Sequence, residues 1–151
     1  MLDYAKVLQT GITASAATTV AAAVCGALEQ GSAAAPINAV SHIPWGEEAA
    51  RQNDLSWKYT ATGLALNTAA VTAWAAVYEW GCQRMADDDV TGAITEGALV
   101  SGLAYLTDYH VVPARLTPGF EKRLSNRSLL GIYTTLALSL ALGRLTRPRG
   151  R

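Results

Sequence analysis

The chain has 151 residues, enough for one domain, and its 12 basic and 12 acidic side chains cancel at neutral pH. That balance excludes the strong field expected of a protein that holds nucleic acid or acidic partners. Mean hydropathy is only +0.16, yet the charges are confined between long apolar stretches in which Ala, Gly, Ser and Thr replace the usual Leu, Ile and Phe.

The first stretch, Val7 to Leu28, carries no Asp, Glu, Lys or Arg and has the roughly 20 residues that a helix needs to cross a bilayer. It is longer than a cleavable signal core, so it reads as an uncleaved span. A soluble helix would show a polar face; this one offers only Gln9 and hydroxyls that can bond back to the helix. The next apolar piece, Ser32 to Trp45, is too short to cross and is broken by Pro36 and Pro44, so it is expected to be an interfacial or re-entrant segment lying against the bundle. Glu47 to Lys58 is a solvated connector. The second span, Tyr59 to Tyr78, is framed by Trp57 and Trp80, which a helical rise places roughly 35 Å apart, the spacing of two aromatic belts.

Gly81 to Asp89 is a turn carrying Asp87, Asp88 and Asp89, and Asp89 or Thr91 is expected to cap the third span, Val90 to Val112. That span contains Glu96 and Asp108 and stops before Pro113; Leu116-Thr117-Pro118-Gly119 then marks a turn. Ser128 to Gly143 is the fourth span if Arg144 snorkels to the interface, and Arg147, Arg149 and Arg151 form a basic tail. The expected fold is therefore all-α: a single integral-membrane domain over 1–151, with four transmembrane helices and a short interfacial helix. Lys and Arg are equally divided between the two sides, so the positive-inside rule decides little; the Arg-rich tail favours cytoplasmic termini.

Small residues recur every fourth position: Gly11, Ser15 and Thr19; Ala14, Thr18, Ala22 and Gly26; Ala93, Gly97 and Ser101; Ala98 and Gly102. Such ridges let helices approach closely in lipid. They serve packing within the bundle first, and a homodimer or a membrane-protein partner second.

Alternation of the spans gathers His42, Trp45, Asp108, His110 and Arg115 on one side of the membrane. Two histidines and a carboxylate resemble a metal facial set or an acid–base pair, but no tight ligand spacing supports a metal. The simpler expectation is that His42 caps a helix end and that Asp108 pairs with His42, Lys58 or Arg115. Toward the other side lie Glu79 and Glu96, with Arg84 as a candidate partner, while Asn67 is the amide at mid-span. Intramembrane polar groups of this kind mark solute or proton pathways when they are not packing contacts. Cys25 and Cys82 fall at opposite ends of the spans, out of reach of a disulfide. There is no P-loop, dinucleotide, Cys-x-x-Cys or nucleophile-elbow motif.

The strings Asn38 to Ala49 (with Ser41-His42-Ile43-Pro44-Trp45-Gly46), Asp108 to Pro113 and Arg115 to Ser125 (with Arg115-Leu116-Thr117-Pro118-Gly119-Phe120-Glu121) resemble a group of small uncharacterised bacterial inner-membrane proteins. The resemblance covers most of the chain and implies a multi-pass location in the bacterial inner membrane, without bringing an activity. Asn67 stands where that group suggests a His, which argues against metal or haem on the second span. The expected function is a non-catalytic accessory or interaction protein of the membrane without cofactor, the alternative being a carrier or channel for a small solute or protons.

Overall fold

The computed structural model describes residues 2–84 and 89–146, and every regular element among them is helical. Asp87, Asp88 and the arginines of the tail lie outside the described residues. Helix α1 (Tyr4–Gln30) starts on Asp3, whose carboxylate accepts from the backbone N–H groups of Ala5 and Lys6, and stops at Gly31, which takes the left-handed conformation. Two short helices follow, α2 (Ala35–Val40) and α3 (His42–Trp45). A π-helical turn, Trp57–Ala61, leads into α4 (Thr62–Cys82). Asp89 caps α5 (Val90–Leu106) through the Gly92 N–H at 2.7 Å, and a second π-helical turn, Thr107–Val111, ends it before Pro113. Ser125 caps α6 (Asn126–Leu145).

The four long helices form a bundle in which α1 is the spine. It packs against α4 on one side and α6 on the other; α5 packs closely on α6 and more lightly on α4. Small residues set these distances. A Cβ on Gly11 would strike Thr72 of α4, and one on Gly97 would strike the Ala137 carbonyl of α6. Hydroxyls then join the helices: Ser15 with Thr68, and Ser101 donating to the Tyr133 carbonyl. Most of the ridges are thus consumed inside the bundle, whereas Ala98 and Gly102 stay exposed. Two apolar cores result. One holds Val71, Ala75, Tyr78, Leu136 and Leu140; the other holds Ala22, Val40, Phe120, Leu129 and Ile132.

Three features qualify the expected bundle. First, the segment after α1 packs against it, with every residue of α2 buried. It wedges against α1 and α4, and Gly63 permits this because a Cβ there would collide with the Ile37 carbonyl. Second, among the described residues two helices, α1 and α6, are long and apolar enough to cross a membrane. Helix α4 has the length but carries Asn67 and Glu79, and α5 has 17 residues before its π-turn. Third, Arg144 does not reach outward. Its Nη1 is buried, and the guanidinium interacts with Cys82 of α4.

Candidate functional site

The residues expected to share one polar patch separate into three places. Trp45 is exposed, its indole N–H donating to Thr62 Oγ1 at 3.2 Å, with the Lys58 ammonium 4.9 Å from its ring and 4.8 Å from that of Tyr59. His42 is buried beneath the bundle. Its Nδ1 lies 2.8 Å from the Ala39 carbonyl, which can only accept, so Nδ1 carries the proton; Nε2 is buried and has no hydrogen-bond partner among the described residues. Asp108 does not pair with His42, Lys58 or Arg115. It accepts from the Tyr133 hydroxyl of α6 at 2.6 Å through Oδ2. His110 and Arg115 are exposed, and neither side chain hydrogen-bonds to a described residue; the His110 ring lies beside Tyr105, with centroids 5.8 Å apart. Among the described residues, no group of three or more His, Cys, Asp or Glu side chains is arranged to hold a metal ion.

The second set is also redistributed. Glu79 is buried at 4% exposure and accepts from Thr10 of α1 at 2.8 Å. Glu96 lies against Gly81, close enough that a Cβ there would meet its carboxylate. Arg84 serves neither glutamate through a described contact: its guanidinium stacks 3.6 Å from the Trp80 ring centroid and donates to the Trp80 carbonyl. Cys25 and Cys82 are both free thiols.

What the fold does build is a cavity of about 310 Å³ inside the bundle, between α1, α4, α6 and the segment after α5. Leu66, Val71, Ile132, Leu136 and Phe120 make most of its wall apolar. Asn67 and Asp108 both line it, with Thr18, Trp74 and Tyr133 beside them. Ala69 and Ala70, exposed and on the same wall, form its mouth. The loose contact between α4 and α5 leaves that side open. Thr18 spends its hydroxyl on the Ala14 and Ser15 carbonyls of its own helix. Asn67 donates from Nδ2 to Thr19 at 3.2 Å, and its Oδ1 accepts from no described residue.

Tyr133 and Trp74 carry this site and were not singled out from sequence. A tyrosine within an otherwise aliphatic span is a usable signal, because a buried phenol needs a hydrogen-bond partner. Its partner here is the one carboxylate of the third span's far end. No family model matches the chain, and neither the curated proteins nor the solved structures include a match to it.

Proposed function

We propose that this chain is a small, non-catalytic protein of the bacterial inner membrane, a four-span bundle that binds a small amphiphile in the Asn67–Asp108 cavity. The cavity carries the reading. Ligand pockets are concave and mostly apolar with a few convergent polar groups, and this one has that composition.

Membrane embedding is supported by the outer surface. Ile12 and Val20 on α1, Leu99 on α5 and Leu130 on α6 are each more than 60% exposed, and only 33% of the most apolar part of α1 is buried within the protein. A core helix of a water-soluble bundle would be covered far more completely. Helices α4 and α5 complete the spans in this reading, with Asn67, Glu79 and Ser101 buried in the interior as the bilayer favours. The Ala98–Gly102 face, left uncovered on α5, is then the surface for a homodimer or membrane-protein partner.

A carrier is the second reading, favoured by the opening of Asn67 into the cavity. Passage onward to Glu79 and Thr10 would have to cross Ala14, Val71, Ala75, Tyr78 and Leu140, which pack together between the two levels. That layer favours holding a ligand over conducting one.

The test uses the full chain in phosphatidylcholine nanodiscs, with Trp45, Trp57 and Trp80 changed to Phe so that Trp74 reports on the cavity. Small aralkyl probes are expected to change Trp74 emission saturably, and Ala70→Phe, which fills the mouth, to abolish the response. A linear, partition-like response unaffected by Ala70→Phe would overturn the binding role.

A further inference from the structure

Asp108 and Asn67 leave acceptors open on this cavity wall, beside the indole N–H of Trp74, and the charged residue of the lining, Asp108, selects the charge of the occupant. Asp108 has one oxygen taken by Tyr133; its other oxygen bonds to no described residue. Asn67, 9% exposed, has its amide N–H committed to Thr19 and its carbonyl oxygen unpartnered. The hydroxyls beside them are already donating: Tyr133 to Asp108, and Thr18 to its own helix. Among the described residues no Lys, Arg or His lies in ion-pair range of Asp108. The charged side chain that acts on it is Glu121, a second carboxylate. Trp74 adds an aromatic face, which attracts cations through its quadrupole. An ionised carboxylate in a mostly apolar cavity is stabilised by a positive charge, and no described Lys, Arg or His supplies one to Asp108.

We propose that the cavity binds a protonated amine with a compact apolar body, the ammonium donating to Asp108 and the body resting among Leu66, Val71, Ile132 and Leu136. The ligand class follows from the charge of the wall: an ammonium has three donors and no acceptor, whereas a carboxylate ligand would meet the like charge of Asp108. The Asn67 carbonyl offers a further acceptor on the α4 wall. This inference rests on the binding role proposed above and narrows it to one charge.

The experiment compares three probes of the same carbon skeleton on the Trp74-only chain in uncharged phosphatidylcholine nanodiscs: 3-phenylpropan-1-amine, 3-phenylpropan-1-ol and 3-phenylpropionate. The amine is expected to bind at least tenfold more tightly than either of the others, and Asp108→Asn to remove that preference. Equal affinities for the three probes, or a preference that survives Asp108→Asn, would overturn the charge assignment while leaving the binding role standing. Failure of every probe to saturate would overturn both. If Asp108→Asn does not fold, the comparison of the three probes on the unsubstituted aspartate decides alone.

Discussion

Asn38 shows how one side chain fixes the end of this bundle. It is fully buried, donates to the Gln52 and Asp54 carbonyls at 3.1 and 2.9 Å, and accepts from Thr60 at 2.6 Å. Its amide thereby ties α2 to the connector and to the turn that opens α4. Asn38→Ala leaves those partners without it, and a buried group stripped of its partner costs about 1–3 kcal/mol. The expected outcome is a loss of that size in denaturant unfolding of the detergent-solubilised chain. Gly119 is the other fixed point. Its φ of +90° is left-handed, and a Cβ there would lie 2.5 Å from the Ala39 carbonyl and 2.9 Å from His42 Nδ1. Gly119→Ala should destabilise by about 1–2 kcal/mol from backbone strain plus the cost of displacing α2, read in the same unfolding experiment. The sequence pattern marks Leu116 to Gly119 as a turn, because Pro-Gly has that local meaning. That the turn closes over His42 depends on packing between segments more than seventy residues apart, which no local pattern encodes.

At the scale of the helices, the small residues of the long helices also make the seams. Gly97 and Ser101 meet α6, while Gly11 and Ser15 meet α4. Gly97→Val should push α5 off α6, with the 1–3 kcal/mol penalty typical of overpacking; Gly102→Val, where no heavy atom lies within 4 Å of the added Cβ, should cost far less. Comparing unfolding midpoints of the two variants checks this, and equal losses would mean that α5 faces the other way. Element positions were legible because length, apolarity and caps are local properties: Asp89 caps α5 as its type and place suggest. Contacts between elements were less so. Asp108 was matched by charge to His42, Lys58 or Arg115, yet helix α6 brings Tyr133 to it instead. The phenol neutralises no charge, so counting charges could not find it. Burial of α2 was hidden as well, since Pro36 in its first turn and Pro44 in α3 mark only that the segment breaks.

Over the whole molecule, connections far apart in sequence join at one end. Lys122 donates to Glu47 at 2.8 Å, and Arg123 donates to the Ala50 carbonyl and to Asn53. The Glu47 carboxylate is held below its ordinary value of 4.5, first by the hydrogen bond from Lys122. A depressed folded-state value means that this contact contributes fully above the ordinary carboxylate range and is lost as pH falls through the folded value. Between about pH 6 and pH 3 the unfolding midpoint of Glu47→Gln should therefore fall less steeply than that of the unsubstituted chain; parallel profiles would show that this contact contributes nothing. The exposed pair makes the effect small. Glu29, in the last turn of α1, receives the Ser125 N–H and the hydroxyls of Ser125 and Ser128 at the start of α6. This latch imposes an order on biosynthesis. Helix α1, made before α6, reserves its terminal carboxylate, and its side facing α6, for a helix that emerges about a hundred residues later. The ribosome must therefore release α6 before the bundle can close, and until then Asp108 awaits its phenol and the cavity has no α6 wall. Assembly of the site therefore waits on the pairing of α1 with α6, helices far apart in sequence.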